Sequence, residues 1–99
     1  MTRPLILRRG AEADLVNIYE ALEATLAGLG SRFVDHVRTV FERIESMPEM
    51  YGIVWQDVRA VRIRSFQYVL YYVVFADRVE VLAIIHGSRE DSVWRSRLP

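Results

Sequence analysis

The stretch VRAVRIRSFQYVLYYVVFADRVEVLAII, from Val58 to Ile85, decides the fold. It contains three runs rich in β-branched and aromatic residues: Val58 to Arg64, Tyr68 to Phe75 and Val79 to Ile85. Two short polar connections separate them, Ser65-Phe66-Gln67 and Ala76-Asp77-Arg78. Connections this short join neighbouring antiparallel strands, so the stretch predicts a meander of three strands. Alternation of side chains places Arg62 and Arg64 on one face of the first strand and Arg59, Val61 and Ile63 on the other. In the second strand both faces are apolar. Tyr68, Leu70, Tyr72 and Val74 point one way, and Val69, Tyr71, Val73 and Phe75 the other. In the third, alternation sets Val79, Val81, Ala83 and Ile85 against Leu82 and Ile84.

Working towards the N-terminus, Glu49 to Asp57 reads as irregular, with large apolar side chains at Met50, Tyr51 and Trp55. Before it, Phe33, Val37, Val40, Phe41 and Ile44 form a stripe at helical spacing, stopped by Pro48. A second stripe, Leu15, Ile18, Tyr19, Leu22 and Leu26, predicts a helix over Glu12 to Leu26 with acids in its first turn. Gly28-Leu29-Gly30 breaks the two apart, and Ser31 is positioned to cap the second helix. Pro4 to Arg9 reads as a short strand. The predicted class is therefore α+β, in the order β-α-α-β-β-β, with a helical hairpin packed on one face of a mainly antiparallel sheet. Two helices cover only one face of such a sheet. The other face must take its cover from the polar tail after His86, from the Tyr51–Trp55 loop, or from another chain.

The chain has 99 residues, the length of a single domain, expected over 1–99. Hydrophobic residues make up 52% and charged residues 26%, which is a globular composition. The absence of cysteine excludes a disulfide scaffold and a thiolate metal site. No apolar run is long enough to span a bilayer or serve as a signal sequence, so a cytoplasmic location is expected. The formal net charge is zero, which argues against a general nucleic-acid binder. The charge is nevertheless unevenly placed. Residues 1–50 hold six Arg against eight acids, and residues 51–99 hold seven Arg against five acids. All 13 basic residues are arginine, a planar fork suited to phosphates and carboxylates, or else the codon bias of a GC-rich genome.

Few residues offer chemistry. His36 falls on the second helix, away from its main stripe, and reads as a surface histidine. His86 closes the last strand, a common place for functional side chains, and reads equally as a hydrogen-bonded structural histidine. Arg62, Arg64, Arg89, Arg95 and Arg97, with Tyr68 and Trp94, make a candidate basic and aromatic patch, suited to RNA or to an acidic protein surface. An ordinary solvated face paired to Glu80, Glu90 and Asp91 is the competing reading. No metal-ligand spacing, phosphate-cradling glycine loop or nucleophile elbow is present, so neither a metal nor a cofactor is expected.

The run Arg59 to Tyr72 (RAVRIRSFQYVLYY), then Val79 to Asp91 (VEVLAIIHGSRED) and Trp94-Arg95 resembles the RelE/ParE superfamily of toxins from type II toxin–antitoxin systems. Ala13-Asp14-Leu15 at the first helix start and Met47-Pro48 at the second helix stop also match. No single motif is specific, but the order and spacing extend over nearly the whole chain. The resemblance implies a growth-inhibiting toxin, neutralised by a cognate antitoxin that wraps a segment over it. Tyr51, Trp55 and Tyr72 are the contacts expected for that partner, and Arg62, Arg64, Tyr68, Arg89, Trp94 and Arg95 those expected for a target or a phosphate. ParE-like members inhibit DNA gyrase without catalytic residues of their own. RelE-like members cleave messenger RNA on the ribosome. For a nuclease, His86 would serve as acid or base, with Arg64 or Arg89 stabilising the phosphate.

The chain departs from the nuclease pattern in three places. It has no lysine, Val69 rather than Arg follows Tyr68, and no tyrosine follows Tyr72. Trp94 cannot replace a tail tyrosine, because indole has no useful acid–base pKa. These departures favour the ParE-like reading over the ribosome-dependent endonuclease. Gln67 and Val69 also keep open an inactive relative that retains only antitoxin binding.

Overall fold

In a computed structural model of the chain, residues 3–87 and 95–97 are described. The elements run β1 (Leu5–Leu7), α1 (Arg9–Thr25), α2 (Leu29–Ser46), β2 (Ile53–Trp55), β3 (Val58–Ile63), β4 (Tyr68–Val74) and β5 (Val79–His86). The strands form one sheet in the order β1-β5-β4-β3-β2. β3, β4 and β5 are the predicted antiparallel meander, and β1 pairs in parallel with β5, Leu5 beside Val79. A helical hairpin on a mainly antiparallel α+β sheet is thus the observed architecture.

The hairpin packs because its stripes close over the sheet. Phe33, Val37 and Ile44 from α2 and Ala11 and Ile18 from α1 meet Val61, Ile63, Leu70, Tyr72, Val79, Val81 and Ile84 in one core. The two helices approach closely at Gly30, where a Cβ would lie 2.6 Å from the Tyr19 carbonyl oxygen. Any larger residue there pushes against backbone, which cannot rotate away.

Four local features differ from the sequence expectation. Ser31 does not cap α2. The helix begins at Leu29 after Gly28 in the left-handed region (φ 88°), and the Glu23 carboxylate of α1 accepts the N–H groups of Gly28 and Ser31. Those backbone donors hold the Glu23 pKa below its ordinary value. Second, the segment read as irregular contains β2, which makes a two-residue hairpin with β3 across Gln56-Asp57. Gln56 takes a positive φ of 49° there. The strand escapes a pattern reading because Ile53 and Val54, on opposite faces, are both exposed.

Third, a bulge interrupts the β4–β5 ladder. Tyr71 pairs with Ala83 but Tyr72 pairs with Val81, so Leu82 is the extra residue. One added residue reverses the face of everything beyond it. Val79 and Val81 therefore share the helix-side core with Ile84, whereas Leu82, Ala83 and Ile85 face away.

Fourth, that second face is closed by the chain itself. Leu82, Ala83 and Ile85 join Val58 and Val73 in a smaller core, with Trp55, Tyr71 and Phe75 packed against it. Leu82 and Ala83 are 0% exposed and Val58 1%. The Arg95 guanidinium lies 4.8 Å from the centre of the Trp55 ring, bringing the C-terminal segment onto this face. No second chain is needed to bury it.

Candidate functional site

The chemistry-bearing side chains fall at the two edges of one end of the sheet. Across that end, Ile63 of β3, Tyr68 of β4 and His86 of β5 lie in register. Directly paired residues point to the same face, and the Tyr68 and His86 rings meet edge to face with centroids 5.4 Å apart. Tyr68 in turn packs on Phe33, Phe33 on Phe66, and Phe66 on His36, each at 5.1–5.5 Å between ring centres. Both histidines thus sit at the ends of an aromatic chain beneath the helices. His36 is half-buried against Phe66 rather than free on the surface, and its Nδ1 lies 2.8 Å from the Arg32 carbonyl oxygen.

His86 opens into a cleft of about 320 Å³ between α1 and the free end of β5, lined by Asp14, Asn17, Ile18, Tyr68, Ile84 and Arg97 among others. β1 stops after Leu7, leaving β5 unpaired on that side beyond Val81. Two side chains take over from the missing strand. Asp14 Oδ2 accepts the Ile84 N–H at 3.0 Å, and Arg97 Nη1 donates to the Leu82 carbonyl at 3.3 Å. Arg97 also forks onto the Asp14 carboxylate at 2.6 and 3.3 Å. Its own carbonyl accepts from Arg8, whose Nε holds Glu80. Arg8 and Arg78 together keep the Glu80 carboxyl below its usual pKa. Arg97, which lines the cleft with His86, is therefore engaged in holding the fold.

Arg62 and Arg64 lie elsewhere. Both are exposed and, among the described residues, neither guanidinium makes a hydrogen bond or ion pair. Arg62 pairs with Val69, which pairs with Ile85, so it faces away from the helices while His86 faces towards them. Two strand spacings, roughly 10 Å, separate β3 from β5. The structure does not bring Arg64 or Arg62 to His86. Arg89 and Trp94 lie outside the described residues, and Arg95 sits on Trp55.

Of the residues expected to meet an antitoxin, Tyr51 and Tyr72 lie close together on the helix side of the sheet, and Trp55 lies on the other face. Tyr72 is 0% exposed and belongs to the helix-side core, its hydroxyl donating to the Pro48 carbonyl at 2.7 Å. Burial pushes its pKa up to about 12. A partner docking on the folded chain does not touch this ring. Trp55 lies on the second face, and Tyr51 lines a groove between α2 and β3. Arg59 fixes the Tyr51 loop by donating to the Glu49 and Tyr51 carbonyls at 3.2 and 2.7 Å.

That groove was not visible in the sequence. It has a volume of about 640 Å³, and Arg43, Arg62 and Arg64 rim it above Val40, Val61 and Tyr51. Its only sequence signal was Arg62-x-Arg64, at the end of β3 and the start of the turn after it; Arg43 reads in isolation as a helix-surface residue. Exposed apolar side chains also gather beyond it at Met47, Met50, Ile53 and Val54. Among the described residues, no group of acids and histidines is arranged to hold a metal ion, and no helix is long and apolar enough to cross a membrane.

Comparison with known proteins agrees with this geometry. A chain in the chromosomal ParDE TA system from P. aeruginosa is similar in fold, with a TM-score of 0.76 at 16% identity, covering 86% of this chain and 96% of that one. The YoeB dimer from Staphylococcus aureus is more distant, with a TM-score of 0.59 at 13% identity, covering 84% and 94%. No match is found among curated protein sequences. The family model of the ParE toxin of the type II toxin–antitoxin system parDE matches residues 5–91, from β1 to beyond β5, and the chain belongs to that family of toxins.

Proposed function

We propose that the chain arrests growth by poisoning DNA gyrase, as a ParE-like toxin held inactive by a cognate antitoxin in the cytoplasm. The observation that carries the choice of target is the separation, among the described residues, of His86 from Arg62 and Arg64. Ribonucleolytic cleavage beside a 2′-hydroxyl requires a base, an acid and a phosphate stabiliser within hydrogen-bond reach of one reacting centre. His86 stands on the helix side of β5, Arg62 on the far side of β3, and Arg97 is committed to Asp14. A protein-binding inhibitor needs no such convergence. The test is supercoiling of relaxed plasmid by purified gyrase in the presence of the chain. Inhibition, with gyrase trapped on cleaved DNA, is the expected result. Unimpaired supercoiling contradicts the reading.

One observation favours the ribosome-dependent endonuclease as a second reading. The cleft beside His86 also presents Tyr68 and Asn17, a histidine, a phenol and an amide facing one cavity. Ribosomes programmed with a defined message, incubated with the chain, would then yield cleaved message.

A further inference from the structure

Several arginines of the chain are spent on the fold. Arg8 and Arg78 hold Glu80, Arg38 holds Asp35, Arg97 holds Asp14, and Arg59 donates to two loop carbonyls. Three that gather in one place are not: Arg43, Arg62 and Arg64. All three are exposed, and among the described residues their guanidinium groups make no hydrogen bond or ion pair. They rim the groove between α2 and β3, Arg43 from the helix and Arg62 from the face of β3 turned away from it. The one acid that lines this groove, Asp35, is turned onto Arg38 at 3.3 Å. Like charges gathered without counter-charges repel one another, so the cluster costs the fold stability and is relieved by an anion from outside the chain.

We infer that Arg43, Arg62 and Arg64 grip the phosphate backbone of duplex DNA beside the toxin's bound target. The inference deepens the gyrase reading and rests on it for what brings a duplex to hand. A duplex offers fixed negative charges at regular intervals on a rigid frame, so several contacts form without the cost of ordering a flexible chain. Arg62 and Arg64 stand two residues apart at the end of an extended strand, roughly 7 Å, a distance comparable to that between neighbouring phosphates on one DNA strand. Arg43 reaches from the opposite wall of the groove. Each guanidinium can fork onto two phosphate oxygens. Contacts of this kind fix orientation and read no sequence. The formal net charge of the chain is zero, so no long-range field draws it to DNA. Three phosphate contacts alone give a weak grip, which gains weight once another surface of the toxin is docked and the DNA is held close by. The hold would then be on a gyrase–DNA complex rather than on gyrase alone.

The probe is a fluorescein-labelled DNA duplex of about 20 base pairs, followed by fluorescence polarisation with the full chain in roughly 50 to 200 mM salt. A dissociation constant on the order of 10–100 µM is expected at the lowest salt, with a log–log salt slope of about −2.7, the value for three neutralised phosphates. The triple variant Arg43→Gln/Arg62→Gln/Arg64→Gln should weaken binding by about tenfold or more and bring the slope close to zero. Arg9→Gln, which removes an exposed arginine at the start of α1 that also lacks a partner among the described residues, should change neither. Circular dichroism checks that each variant is folded. Absence of binding, a salt slope that survives in the triple variant, an equal loss in Arg9→Gln, or tighter binding of polyglutamate or of a uridine 12-mer than of the duplex overturns the inference. Inhibition of purified gyrase is read separately. Its absence refutes the gyrase reading whatever the duplex does, and inhibition with no duplex binding refutes only the DNA contact.

Discussion

Asp14 on α1 and Arg97 near the C-terminus together stand in for a strand: the carboxylate accepts the Ile84 N–H and the guanidinium donates to the Leu82 carbonyl, on the edge of β5 that β1 leaves open. Two residues 83 positions apart thereby fasten the tail, the first helix and the sheet at one point. A backbone donor left unsatisfied in such a place is costly.

Asp14→Ala removes the acceptor from Ile84 and strands Arg97, so it should destabilise the fold by about 2–3 kcal/mol in urea unfolding. Arg97→Ala should cost somewhat less, because the Ile84 N–H keeps its acceptor. The double variant should fall short of the sum by about 1 kcal/mol. Additive effects would mean that the two side chains act independently.

Tyr72 gives the fold an alkaline limit. Burial raises its pKa to about 12 in the folded chain from 10.0. Below pH 10 the phenol is neutral in both states and its stabilising contribution is complete. Above that the unfolded chain ionises first, and about 2 kcal/mol of stability is lost as the pH rises towards 12. Tyr72→Phe removes this dependence, and at neutral pH costs about 1 kcal/mol for the lost hydrogen bond to Pro48. Thermal unfolding of both proteins from pH 8 to 12 checks it; parallel curves would show that the phenol ionises freely in the fold.

The order of elements was legible because hairpin connections and helical stripes are local signals. Ser65-Phe66-Gln67 and Ala76-Asp77-Arg78 leave the chain little choice but to turn back, and Phe33 to Ile44 can bury one face only as a helix. What was not legible depends on partners distant in sequence. No pattern marks Leu82 as the bulged residue, because every neighbour is apolar and the slip becomes defined only against Tyr71 and Tyr72. β2 carries no alternation, since it is an exposed edge. Tyr72 read as available for a partner, because whether a tyrosine in a two-sided apolar strand is buried depends on which face the helices take. At the site, His86 at a strand end was visible, but its distance from Arg62 and Arg64 follows only from the register of three strands.

His86 provides the sharpest test of role by substitution. If it is structural, His86→Ala loses the edge-to-face contact with Tyr68 and about 1 kcal/mol of stability, while growth arrest on expression persists. Loss of toxicity in a variant that unfolds at the native urea midpoint would instead mark it as catalytic.

The central claim, that the toxin stops replication rather than translation, is tested most directly by pulse labelling. The chain is expressed without its partner under tight induction, and incorporation of labelled thymidine and labelled methionine is followed side by side. The account predicts that DNA synthesis falls first while protein synthesis continues. Early loss of protein synthesis with replication intact would contradict it.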